Sequence, residues 1–332
     1  MLFLTGLLGM MVLGSVAIVS TGDSDEDTAE NASQLDSEAE ERQALTDSAA
    51  ATGPGSLFAQ MGIIKTAGNI SDGTEGDETL AGTDSTDLLN GRGGNDRVDG
   101  AGGDDQIVGG TGSDDLLGGA GNDTLHGEAE ADILRGGSGA DELYGHDGPD
   151  SLYGDDGADI LQGGLGSDWL DGGAGADALH GREGDDRLDG GEGGDTLFGG
   201  WDNDLLVGVE TDAPAQDFLN GGDGDDTLIA GAGDVLSGGE GADTLVLADP
   251  MAGTPSQIMD YDDIEDQIVI LFDDADGADE PTIDVRMNGD DATLAEIVLD
   301  GVVVSTLPAA DAPGVEGIVL VPQSAAAQLG FA

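Results

Sequence analysis

From Asp87 to Asp204 an aspartate recurs at every ninth residue, through Asp96, Asp105, Asp114, Asp123, Asp132, Asp141, Asp150, Asp159, Asp168, Asp177, Asp186 and Asp195. An aliphatic side chain stands two residues after each, from Leu89 and Val98 to Leu206, and a glycine five residues before each, from Gly82 to Gly199. Glu78 and Leu80 carry the frame one step further back. The fullest copies read G-G-x-G-x-D-x-L-x, as in Gly118 to His126. A strict period of this kind is an internal repeat, whose single unit cannot bury a hydrophobic face and must stack on its neighbours.

Elementary geometry turns the period into a shape. The residues around each aliphatic position form a short strand with one side chain inward, because alternate residues point to opposite faces. The glycine-dense residues between strands reverse the chain through backbone conformations that cost little only for glycine. Two repeats then make one coil, and successive coils lie about 4.8 Å apart. Leu89, Ile107, Leu125, Leu143, Leu161, Leu179 and Leu197 line one inner wall, and Val98, Leu116, Leu134, Leu152, Leu170 and Leu188 line the facing one. The aspartates stack into two ladders beside glycine carbonyls. Carboxylates and carbonyls in such number suit calcium, which takes six to eight oxygen ligands, better than magnesium, which holds its waters in an octahedron.

The repeat resembles the glycine-rich nonapeptide of the RTX, or haemolysin-type, calcium-binding proteins. That resemblance implies an all-β fold: a parallel β-roll in which each Ca2+ lies between one turn and the next coil along. The ligands it implies are the aspartates and the turn carbonyls. They comprise Asp96, Asp105, Asp114, Asp123, Asp141, Asp150, Asp159, Asp168, Asp177, Asp186, Asp195, Asp226 and Asp243. With them go Gly109, Gly110, Gly112, Gly118, Gly119, Gly121, Gly163, Gly164, Gly166, Gly172, Gly173 and Gly175. The turns before Asp87 and Asp132 are poor in glycine, and Asp202 replaces the last turn glycine before Asp204, so weak or missing ions are expected there. One buried leucine returns about 2 kcal/mol per repeat, whereas ordering the backbone costs about 1 kcal/mol or more for each of its residues. Calcium is therefore expected to switch the array from unfolded to folded.

The rest of the chain supports this layout. With 71 acidic against 8 basic residues the formal charge is -63, which excludes nucleic acid and anionic membrane surfaces as partners. No cysteine is present to staple the chain. Residues 1–20 carry no charge and are long enough to span a bilayer, but they lack the basic start and small-residue cleavage site of a signal peptide. They fit an uncleaved membrane segment best, with a signal peptide, a misplaced start or a buried helix as the other readings. Residues 21–71 read as an acidic disordered tether, in which Phe58 to Ile64 is one apolar patch able to cap the first coil. Residues 72–248 make the roll. After Val207 four residues are inserted, and the frame resumes at Asp217, Asp226, Asp234 and Asp243.

Residues 249–332 read as a small antiparallel β domain capping the last coil. Its strand candidates are Thr282 to Met287, Ala292 to Leu299, Val302 to Thr306 and Gly317 to Val321. Asn288-Gly289 and Asp300-Gly301 between apolar runs are strong hairpin signals. The segments Ile258 to Tyr261 and Asp266 to Ile270 are similar to those that close RTX rolls.

Catalytic signatures are missing. No H-E-x-x-H occurs, and Gly136 to Ala140 ends in alanine where a nucleophile elbow needs glycine. His126 and His180 are three coils apart, roughly 14 Å, too far to share a zinc ion. Tyr144, Tyr153 and Trp169 face outward but belong to different repeat parities, which weakens the alternative of a carbohydrate-active solenoid enzyme acting on polysaccharide. The expected protein is not an enzyme but an extracellular or cell-surface calcium-binding structural or interaction module, and the sequence does not say whether its target is a protein or a polysaccharide.

Overall fold

The computed structural model describes residues 68–209, 215–248, 253–274 and 280–329. The hydrophobic segment 1–20, most of the acidic stretch and the Phe58 to Ile64 patch lie outside the described residues.

Two parallel sheets face each other, and the chain alternates between them at every repeat. The first sheet begins with Ile70–Asp72, Leu88–Gly93, Gln106–Thr111 and Thr124–Ala129; the second begins with Thr79–Thr83, Arg97–Ala101, Asp115–Ala120 and Ile133–Ser138. The first strand of the first sheet thus starts just before residue 72, pairing Ile70 with Leu88. Register follows the coil: Leu89 pairs with Ile107, Ile107 with Leu125, and Leu125 with Leu143. The aliphatics of both walls, from Leu89 and Val98 to Leu206, are fully buried in one continuous core. This is the parallel β-roll that the nine-residue period predicts.

Strands are longer than the period alone suggests. Most span six residues and run into the glycine turn, as Ile160–Leu165 contains Gly163 and Gly164. Gly164 pairs with both His146 and Arg182 although its φ is 130°. A Cβ there would collide with the His146 carbonyl. The turns therefore stack by backbone pairing as closely as the strands do.

The roll continues across the insertion. Leu197 pairs with Leu219, and Leu206 with both Leu188 and Leu228, so the register is the same on both sides of the insertion. Beyond the glycine period, Ser256–Ile258 and Gln267–Phe272 still add parallel strands to the two sheets.

The C-terminal region contains the expected antiparallel strands, Ile283–Met287, Leu294–Leu299 and Val302–Pro308, joined at Asn288-Gly289 and Asp300-Gly301. They extend the edge of the first sheet, where Ser256 pairs with Ser305 in parallel. Ile318–Pro322 differs from expectation: it pairs in parallel with Gln267–Phe272 and so lengthens the second sheet. The helix Gln323–Leu329 follows, and Ala326 joins Ile229, Val246, Val269, Leu271 and Val321 in a second apolar cluster. That cluster forms because the outward position next to each buried aliphatic becomes apolar at Ile229, Val246 and Val269, where earlier repeats carry mostly polar or aromatic residues.

Truncating one rung tests the core. Leu161 is fully buried between Leu143 and Leu179. Leu161→Ala should cost about 2–5 kcal/mol in denaturant unfolding at saturating calcium. A loss below about 1 kcal/mol would contradict the close packing described here.

Candidate metal centre

Each ladder aspartate sits just before its strand, inside the turn, with almost no exposed surface. One carboxylate oxygen ties two coils together: the backbone N–H of Asp141 donates to Asp159 Oδ1 at 2.8 Å, and that of Asp159 donates to Asp177 Oδ1 at 2.8 Å. The same bond joins Asp96 to Asp114, Asp105 to Asp123, Asp150 to Asp168 and Asp168 to Asp186. It also crosses the irregular coils, from Asp195 to Asp217, Asp204 to Asp226 and Asp226 to Asp243. Outside this ladder runs an exposed one, in which side-chain oxygens of Asn95, Asp104, Asn122 and Asp185 accept backbone N–H groups one coil along.

The second oxygen is different. Oδ2 is buried with no hydrogen-bond partner in Asp96, Asp105, Asp114, Asp123, Asp132, Asp141, Asp150, Asp159, Asp168, Asp177, Asp186, Asp204, Asp226 and Asp243. A buried polar atom without a partner is costly, and a regular row of them calls for a ligand. Burial is the main cause that pushes these carboxyls upward, opposed by the backbone N–H bond and, in all but Asp168, reinforced by nearby acidic side chains. Asp159 is raised to about 6, Asp123, Asp150, Asp177 and Asp186 to about 7, and Asp132 and Asp204 to about 8.

Glycine keeps the space beside each Oδ2 open. A Cβ on Gly118 would lie 2.5 Å from Asp123 Oδ2 and 2.7 Å from the Gly136 carbonyl oxygen. Gly172 is alike, at 2.6 Å from Asp177 Oδ2 and 2.5 Å from the Gly190 carbonyl oxygen, and Gly109 and Gly163 likewise abut Asp114 and Asp168. The other expected turn glycines, Gly110, Gly112, Gly119, Gly121, Gly164, Gly166, Gly173 and Gly175, all have positive φ and approach a carbonyl of the preceding coil. An unpaired carboxylate oxygen, a carbonyl oxygen from the next coil and a gap held by glycine form an all-oxygen donor set that fits a hard divalent cation.

The glycine-poor turns keep the same carboxylate arrangement. Asp114 N–H donates to Asp132 Oδ1 at 2.7 Å, as elsewhere in the ladder. The missing glycines show instead as left-handed backbone at Glu128, Glu130 and Asp202, with φ of 84°, 72° and 72°. The two ends of one ladder do depart: Asp87 Oδ2 accepts the Thr83 N–H, and Asp234 Oδ2 accepts the Gly231 N–H, each at hydrogen-bond distance. Those aspartates have the second oxygen occupied by their own turn.

Residues 72–107, 108–143, 135–170, 144–179, 171–206 and 215–245 match the RTX calcium-binding nonapeptide repeat (4 copies). Together the matched segments cover half of the chain. The chain belongs to the RTX calcium-binding repeat family. No curated protein matches it. As an RTX repeat protein it binds Ca2+ through structural repeats. Among the described residues no helix is long and apolar enough to cross a membrane.

Proposed function

We propose that the RTX array is an extracytoplasmic structural module that is unfolded at low calcium and folds cooperatively as calcium fills its turns. The observation that carries this reading is the row of buried, partnerless Oδ2 atoms. The ions would be held by the ladder aspartates from Asp96 to Asp186, with Asp195, Asp204, Asp226 and Asp243, and by the adjoining glycine carbonyls. Each ion would neutralise like charges and tie consecutive coils of one sheet. A nearest-neighbour stack of this kind gains order as a block. Half-saturation on the order of 0.1 to 1 mM would suit extracellular calcium.

The aromatic side chains give no support to a polysaccharide-processing surface. Tyr144 lies in the first sheet and Tyr153 and Trp169 in the second. Tyr153 pairs with Asp171 and Arg135, not with Trp169. Their outward faces are engaged by cations: the Arg135 guanidinium carbon is 5.3 Å from the Tyr153 ring centroid and that of Arg187 is 5.2 Å from the Trp169 ring.

Calcium titration followed by circular dichroism tests the assignment. Asp159→Ala removes both a coil-to-coil hydrogen bond and a ligand, so the midpoint for the whole roll should rise severalfold. The closely similar surroundings of Asp132 lead us to expect a comparable rise for Asp132→Ala. Midpoints unchanged in both variants would exclude the ladder as the calcium site.

A further inference from the structure

The outer face of the first sheet carries a second, chemically different donor cluster. Glu128 and His146 occupy the second-glycine position of successive coils and are directly paired in register. Along this row the order is Arg92, Gly110, Glu128, His146, Gly164, Arg182 and Gly200, so glycine flanks the Glu128–His146 pair on both sides. Both residues take left-handed backbone, with φ of 84° and 78°. His126 is two residues before Glu128 on the same strand and therefore on the same face. Its Nδ1 lies 2.9 Å from His146 Nε2, and Tyr144 stacks against its ring at a centroid distance of 4.8 Å. One ligand atom from each of His126, Glu128 and His146 falls within 4.8 Å of the others.

The geometry points to a zinc-class divalent transition-metal site formed by His126, His146 and Glu128, separate from the calcium ladders. Two imidazole nitrogens and a carboxylate suit borderline ions such as zinc, whereas calcium takes oxygen donors. Nitrogens sharing a tetrahedral zinc ion at bonds of about 2.0–2.1 Å stand roughly 3.3 Å apart. The two rings need to separate by only a few tenths of an ångström, and exposed Glu128 has room to swing toward them. The imidazole that donates the present hydrogen bond moves its proton to its other ring nitrogen, so two neutral rings bind the ion without net proton release. The bound ion would clamp two adjacent coils from outside the roll.

The chain has three histidines, which makes the test direct. Zinc is titrated into the calcium-saturated full chain while the imidazole proton resonances are followed. His126 and His146 should shift together and saturate at one equivalent, leaving His180 unmoved as the internal control. His146→Gly restores the residue that the repeat prefers at this positive φ, and calcium-loaded circular dichroism reports its fold. It should weaken zinc binding at His126 at least tenfold. Glu128→Gln, which keeps the side-chain shape and all three rings, should weaken it about tenfold. Absence of shifts, a His180 shift at the same zinc concentration, or undiminished affinity in both variants would overturn the site.

Discussion

Calcium-free protein at pH 8 is expected to show none of the β-sheet circular dichroism of the calcium-loaded roll, and adding calcium should restore it in one cooperative step. In the fold, aspartates such as Asp141, Asp159 and Asp177 are almost wholly buried and successively bonded, each with a second oxygen that finds no partner. Ionised and without cations, this row combines desolvation with mutual repulsion. The core that opposes it is narrow, one aliphatic per repeat. An ion present at about ten times its dissociation constant adds roughly 1.4 kcal/mol per site, and the contributions accumulate along the stack. Loss should therefore be complete rather than proportional to the ions removed. A full strand signal in excess chelator would falsify the calcium switch.

Acid should partly replace calcium. In calcium-free protein the roll is expected to regain β-sheet signal between pH 8 and pH 5, and calcium affinity should fall over the same interval. Asp132 and Asp204 are raised to about 8 and Asp123, Asp150, Asp177 and Asp186 to about 7 by burial in the fold, while an unfolded aspartate titrates near 4. The folded state thus binds more protons than the unfolded one across this window. Its stability is present at low pH and is lost as pH rises through the folded values. A protonated carboxyl is also neutral, which relieves the desolvation cost and the repulsion along the ladder. Calcium has the opposite requirement, since it binds the carboxylates and must displace those protons. Circular dichroism of the calcium-free protein against pH, alongside calcium titrations at pH 5 and 8, measures both halves. A calcium-free protein equally unstructured at the two pH values would contradict the burial described here.

Much of this architecture was legible because the same local geometry repeats. A nine-residue step reverses the chain into the opposite sheet, and an eighteen-residue step returns it one coil on. Leu161 between Leu143 and Leu179, and Leu170 between Leu152 and Leu188, follow from that count. The same count aligns Asp159 with Asp141 and Asp177. Glycine at positions such as Gly163 and Gly164 answers two local needs, space beside a carboxylate and positive φ.

Contacts that depend on neighbouring coils were less legible. Asp217 meets Asp195 across 22 residues, and Asp234 meets Asp217 across 17, because the ladder bond follows the pairing of stacked strands and not a fixed count along the chain. Parallel pairing of Ile318–Pro322 likewise comes from the open edge of Gln267–Phe272, which a local hairpin signal does not report. His146 stands in a glycine position, whereas His126 stands beside a buried leucine. Twenty residues separate them, yet a parallel register places them diagonally on one face, where Nδ1 and Nε2 meet at 2.9 Å. Sequence determined the repeat, the two walls and the acidic ladders, since each follows from a spacing along the chain. Tertiary structure alone decided which oxygen of each aspartate is spent on the next coil and which side chains meet across coils, because those depend on stacking between segments rather than on spacing within one.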